Sequence, residues 1–405
     1  MDLRIPDRAD HLIVAISDIE MGSGGPMDDF PHDEFLADLI RGYAEAAYDK
    51  LGVTLIFNGD TFDLLKTSLY GVFHRHITAA LAVEKFTRIA DAHPSFFEAL
   101  RDFLDTSPGQ NAVVFVVGNH DLELLFPEVQ DCIRQRIGAP GISFPGFAID
   151  IGNVRVEHGS QGDPMFRMDE RVPFVLLNGE KILNLPWGCT SVIDVALPLQ
   201  PYLYPLDRVK PRKQLLELLP EVRQLLVGAY WRYWTRDYLG DMLRGRDPIK
   251  RINWTMFREL VYRFGSRDPD LSVGAHYQRA LMADRGHRLT VIGHLHSAGW
   301  WSYGDRKFLQ TGCFRDEFML TDPGRQLSLI PKVYAEIYMV GERLVRSQLV
   351  ELIGPPSPPG HMPVDLFAVV QHVSPLIGSK AEREGVEQAQ AQQIRRETEA
   401  PDELS

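Results

Sequence analysis

The stretch AISDIEMGSGG, residues 15–25, ends an apolar run with two carboxylates two positions apart, Asp18 and Glu20, and then enters a glycine-rich turn. The run begins upstream, because HLIVAIS (11–17) is nearly continuous in apolar and β-branched residues, as a strand buried on both faces is. Two further runs repeat the arrangement: VTLIFNG (53–59) leads to Asp60, and AVVFVVG (112–118) leads to Asn119 and His120. Helical-looking segments at 33–50 and 78–104 separate them. Strands alternating with helices predict an α/β fold.

Downstream the pattern changes to hairpins. FAIDIGNVRVEHG (147–159) turns at Gly152-Asn153 and delivers His158, whereas HRLTVIGHLH (287–296) delivers His294 and His296. WWSYGDRKFLQTG (300–312) and KVYAEIYMVGERLVRSQLVEL (332–352) read as pairs turning at Gly304-Asp305 and Gly341-Glu342. The expected architecture is two packed sheets with helices outside. A main domain is expected over 1–353, interrupted by an insertion at 160–285. GPPSPPG (354–360) is expected to be a stiff extended linker. The Gln-, Glu- and Ala-rich remainder of 354–405 is expected to be disordered or a frayed helix.

Composition narrows the class. A chain of 405 residues with 44% hydrophobic content can bury a large core. Cys132, Cys189 and Cys313 are odd in number and far apart, which favours free thiols in a reducing compartment over a disulfide frame or a cysteine-based zinc site. MDLRIPDRAD (1–10) carries charge where a signal peptide needs an apolar segment, and no apolar run reaches the roughly 18 residues of a spanning helix. A cytoplasmic protein is expected. The net charge of −12 weighs against nucleic-acid binding by the whole surface, yet residues 205–267 hold 14 Lys and Arg against 7 Asp and Glu.

Five clusters of chemically capable residues thus stand at strand ends: Asp18 with Glu20, Asp60 with Asp63 in NGDTFD, Asn119 with His120 in GNHD, His158 in EHG, and His294 with His296 in GHLH. In α/β sheets such ends share one rim, where ligands bind. In a strand, side chains at i and i+2 point to the same side, so Asp18 with Glu20, and His294 with His296, are each expected to direct two ligands at one site. Carboxylates, an amide oxygen and imidazoles together suit a hard-to-borderline divalent cation, and there are too many for a single ion.

In their order these motifs resemble the calcineurin-like metallophosphoesterase superfamily, whose pattern is D-x-H, GD-x-x-D, GNH-D/E, a single His before Gly, and GH-x-H. The resemblance covers about 11–320 and implies a four-layer α-β-β-α sandwich holding two divalent ions, with Mn ahead of Mg, Fe or Zn. It implies that Asp60 bridges them, that Asp18 and His296 bind one, and that Asn119, His158 and His294 bind the other. It further implies hydrolysis of a phosphodiester or pyrophosphate by a water that both ions activate, with His120 as general acid and Asp63 as its partner. The first motif departs from the family, since Glu20 stands where it has His. Either Glu20 is a ligand, which favours hard ions, or it lies behind an ion position that is weak or empty. The turn GSGGP (22–26) is either a cradle of backbone N–H groups for phosphate or simply a flexible turn.

The gap of 136 positions between His158 and His294 exceeds what the core needs, so GSQGDP (159–164) opens the inserted segment. Its second half interleaves Trp231, Trp234, Tyr238, Trp254 and Phe257 with Arg232, Arg236, Arg251 and Arg258. A mainly helical cap with Arg232 and Arg236 at the substrate is one expectation, suiting a phosphorylated small molecule or a lipid-linked one, with contact to an anionic membrane. The other is an amphipathic helical pair with aromatic core and solvated arginines. UDP-diacylglucosamine hydrolases also carry a capping insertion, but they have Arg at the position of His120. A nuclease using the basic aromatic window, and a non-catalytic scaffold on the same fold, are the remaining alternatives.

Overall fold

The computed structural model describes residues 5, 6, 8–204, 206–245, 247–251, 258, 259, 262, 276, 277, 279, 280, 282, 283, 286–321, 326–358 and 361. The chain forms a mixed α/β structure built on two large sheets. The six-stranded sheet runs in the order Arg343–Leu352, Lys332–Val340, His11–Ile16, Gly52–Asn58, Ala112–Val116 and Ile142–Gly146. Its last four strands are parallel, and Lys332–Val340 is antiparallel to His11–Ile16. The five-stranded sheet runs Gly299–Tyr303, Arg306–Gln310, Leu289–Ile292, Val154–Glu157 and Ala148–Ile151. Leu289–Ile292 lies parallel to Val154–Glu157, and the outer pairs are hairpins turning at 152–153 and 304–305.

The apolar runs lack polar alternation because both of their faces are covered. Ile13, Ala15, Ile56, Val114 and Val116 meet Val154, Val156, Leu289, Val291 and Leu309, so one apolar layer joins the two sheets. Alternate residues Leu12, Val14, Leu55, Phe57 and Phe115 face the helices Asp33–Gly42, Ala79–Ala92, Pro94–Thr106 and Pro127–Ile137. Phe57, Phe62, Phe96 and Phe115 interlock there at ring separations of 5.1–6.3 Å. On the far face of the second sheet, Ile292 and Phe308 pack on Tyr277. Most of 260–285 lies outside the described residues.

Between 160 and 251 the chain is largely helical, with a hairpin (Phe174–Leu177 and Glu180–Leu183) and helices including Arg212–Leu218 and Pro220–Arg232. It has its own core around Trp187, Val195, Leu215, Leu225, Tyr233, Trp234 and Tyr238. It is also tied into the main domain. Val209–Lys210 forms a sheet with Phe318–Thr321, and Ile182, Cys189 and Ile193 enter the main core. Trp234 and Tyr238, four positions apart, are buried, whereas Arg236 and Trp231 are exposed. Trp254 and Phe257 lie outside the described residues.

The proline-rich segment is tied to the main domain at Ser357, and residue 361 follows it there. Ser357 Oγ bonds the Asp316 carboxylate, and the His361 ring donates to the Gly25 carbonyl at 3.0 Å. Stiff PPII-like chain loses little entropy when it docks, so proline content sets its stiffness and leaves its docking to side-chain partners. The tail beyond residue 361 lies outside the described residues.

Candidate metal centre

The five motif loops leave the carboxyl ends of five strands, and their backbones carry the strain expected of a built site. Among the described residues, seven non-glycine residues have positive φ, and five of them are Asp18, Glu20, Asp60, His294 and His296, at 50–69°. This left-handed conformation costs on the order of 1–2 kcal/mol for a residue with a Cβ. The strands end at Ile16 and Ile292, so strand alternation is not what aligns the paired residues. Left-handed turns at both members of each pair do that instead.

Two glycines explain the motif spelling. A Cβ on Gly118 would lie 2.1 Å from Asp60 Oδ1 and 2.4 Å from Asp60 N. One on Gly293 would lie 2.4 Å from Asp18 Oδ2. Each ligand loop therefore packs its glycine against the carboxylate of another. Asp121 fastens the loops further, because its carboxylate accepts from Gly118 N–H at 2.6 Å and Thr61 N–H at 2.8 Å. Burial, and then Asp60, push the Asp121 carboxyl up to about 7.

The expected ligands converge. Asp60, His158 and His294 each offer a donor atom within 4.8 Å of the others. His158 Nε2 lies 3.1 Å from Asp60 Oδ2, 3.3 Å from Asn119 Oδ1 and 4.0 Å from Asp18 Oδ1. Beside this group, His296 Nε2 lies 3.3 Å from Asp18 Oδ1 and 3.5 Å from Glu20 Oε1. The two groups meet at Asp18, which also accepts the His294 N–H at 3.0 Å.

Each imidazole has its other nitrogen held by an acceptor. His158 Nδ1–H donates to the Asn58 carbonyl at 2.9 Å, His296 Nδ1–H to Glu317 Oε1 at 2.7 Å, and His294 Nε2–H to Asp163 Oδ2 at 3.2 Å. One nitrogen per ring is therefore left for the centre, the arrangement metal-binding histidines need. Asp163 and Glu317 were not singled out by sequence reading. Glu317 is itself held by Arg315 at 3.0 Å and by Lys210, so it is an anchor for His296.

At the centre, carboxylates and imidazoles hold one another's charge. Burial alone would raise the Asp60 carboxyl, but His158 and His120 hold it well below the usual carboxylate range. Burial opposes charge on His158, yet Asp60 and Asp18 push it up to about 9. Burial and Arg315 oppose charge on His296, and Glu317 with Asp18 outweigh them. This donor set fits divalent cations, whose binding would displace those protons.

His120 lies at the edge of the group. Its N–H donates to Asp60 Oδ1 at 2.7 Å, and its ring Nδ1–H donates to Asp63 Oδ1 at 2.9 Å, as the motif pairing implies. Burial opposes its charge, but Glu20, Asp60 and Asp63 raise it to about 9. Nε2 is left as the nitrogen that can pass on a proton.

Glu20 has partners that sequence reading missed. Its Oε2 accepts from Lys66 Nζ at 2.8 Å and from Arg315 Nη1 at 2.8 Å, leaving Oε1 toward His296. Burial would raise this carboxyl, and Arg315 with Lys66 hold it well below its ordinary range. The turn at 22–26 is closed by Asp28, whose carboxylate accepts from Gly22 and Gly24 N–H groups, so these donors are spent within the loop. The insertion reaches the centre through Asp163 at His294, Cys189 at the Asn119 carbonyl and Lys210 at the His296 carbonyl. Arg232 and Arg236 lie in a helical stretch, 220–244, that packs on Arg212–Leu218 and Val192–Ala196.

No protein-family model matches the chain, and neither does any curated protein. The three cysteines are free, and no helix among the described residues is long and apolar enough to cross a membrane.

Proposed function

We propose that the chain is a cytoplasmic, divalent-metal-dependent phosphoesterase with a four-layer calcineurin-like architecture, acting on a phosphodiester or pyrophosphate of a phosphorylated small molecule or lipid-linked substrate. The observation that carries this reading is the convergence of Asp18, Glu20, Asp60, Asn119, His158, His294 and His296, with the far nitrogens of all three imidazoles already occupied. Asp60, Asn119, His158 and His294 would hold one ion, and Asp18, Glu20 and His296 the other, with Asp60 between them. Two such ions, Mn first among the candidates, supply an activated water and screen phosphoryl oxygens.

The remaining work falls to the chain. Asp63 fixes His120 Nδ1, so Nε2 presents the proton to the leaving oxygen, and the raised proton affinity keeps His120 charged at neutral pH. His120 binds its proton through carboxylates that are themselves anchored, which keeps the acid aimed at the centre.

The test is metal analysis combined with hydrolysis of bis-p-nitrophenyl phosphate in Mn(II). Asp60→Asn is expected to empty the centre and abolish hydrolysis. Full activity in that variant overturns the reading.

A further inference from the structure

Glu20 is held in a way that nothing in its motif requires. The residue is 1% exposed, and its two oxygens face different partners: Oε1 faces His296 Nε2 at 3.5 Å, and Oε2 takes hydrogen bonds from Lys66 and Arg315, each at 2.8 Å. Both cations are immobile parts of the fold. Arg315 is fixed by two bonds to Glu317 Oε1, at 3.2 and 3.0 Å, and its N–H donates to the Asp18 carbonyl at 3.1 Å. Lys66 Nζ also holds Asp29 and, at 3.0 Å, Asp63. With side chains only 11% and 3% exposed, neither can swing into solvent.

We propose that Lys66 and Arg315 clamp the outer oxygen of Glu20 and so make the ion position of Asp18, Glu20 and His296 the weaker, exchangeable one of the two. The inference rests on the two-ion reading above. A carboxylate whose charge is already shared with an ammonium and a guanidinium gives less to a third cation, and fixed positive charges in a poorly screened interior repel that cation directly. The other position is free of this penalty: among the described ion pairs, Asp60 meets only a histidine. Asp18 likewise meets only histidines. Glu20 Oε2 is engaged by its clamp, so among the described ion pairs Asp18 and Asp60 are the ligand carboxylates with no Lys or Arg partner to set against the four positive charges of two ions. The second ion is then the one held least. Because Lys66 also binds Asp63, the partner of His120, the clamp ties the loading of this position to the setting of the acid.

Equilibrium dialysis of the full chain against Mn(II) alone tests the clamp. The expected result is two classes of site, the second at least ten-fold weaker. Lys66→Met should tighten the weak class by about ten-fold, Lys66→Arg should leave it as in the wild type, and Glu20→Gln should remove it while sparing the tight class. Arg315→Gln carries the same expectation as Lys66→Met if that variant fails to fold, and the two-class result needs no variant. Equal affinities in the wild type, or a weak class unchanged or further weakened in both charge-removing variants, overturn the clamp and leave the two-ion reading standing. Absence of Mn(II) binding by the wild type sinks the two-ion reading itself.

Discussion

Asp163→Asn is the sharpest probe of how the insertion serves the centre. Asp163 is buried, its Oδ2 accepts the His294 Nε2–H at 3.2 Å, and its Oδ1 accepts the Met165 N–H at 2.9 Å. Asn keeps the shape and can keep the bond to Met165 through its amide oxygen, but it then turns an NH2 group toward His294. A donor facing Nε2 stabilises the tautomer with the proton on Nδ1, so the nitrogen that should offer its lone pair to an ion is protonated. Loss of such an orienting partner typically costs 10–100-fold in metal affinity, or roughly 1.4–2.7 kcal/mol. Asp163→Ala leaves the ring free to choose its tautomer, so it should bind metal better than the Asn variant. It should nevertheless fold less well, because the buried Met165 N–H loses its acceptor at about 1–3 kcal/mol. Metal affinity by dialysis and stability by urea unfolding should therefore rank the two variants in opposite orders. Wild-type affinity in the Asn variant, or the same order in both assays, would show that Asp163 does not set the His294 tautomer.

Two further outcomes follow from the geometry. In Gly118→Ala the new Cβ meets the Asp60 backbone and carboxylate at 2.4 and 2.1 Å, so the loops must part; about 1–3 kcal/mol of stability and most of the bound metal should be lost, and metal content equal to wild type would refute the packing argument. His93 is a stability switch away from the ligands: burial lowers its proton affinity, but the hydrogen bond to Asp28 and the nearby Asp33 carboxylate raise it from 6.5 to about 9. Its contribution of ~3 kcal/mol is complete below pH 6.5 and disappears as pH rises through about 9. The stability gap between wild type and His93→Asn in urea should shrink by about that amount between pH 6 and 10, whereas a constant gap would remove His93 from the account.

What the sequence made legible is what lies close in the chain. Asp18, Asp60, Asn119 and His294 were readable because each sits one to three residues beyond an apolar strand, three of them behind a glycine whose hydrogen faces another loop. The expectation that residues two apart would share a side holds for a different reason. Left-handed backbone at Asp18, Glu20, His294 and His296, rather than strand alternation, turns each pair inward, and no pattern of residue types announces a left-handed aspartate. The supporting charges were illegible for the opposite reason: Asp163 stands 131 positions from the histidine it holds, and Arg315 stands 295 from Glu20. Asp121 was within reach, since it closes on Gly118 three residues back in the same GNHD stretch. In the insertion, spacing was the better guide and composition the poorer one. Val222, Leu225, Ala229 and Tyr233 recur at three or four residues and are buried, while Trp231 is out of phase and 60% exposed. Of the aromatics that suggested a binding track, Trp234 and Tyr238 hold the insertion's own core together, and its charged residues at Asp163 and Lys210, remote in sequence from the motifs they support, are what connect it to the candidate centre.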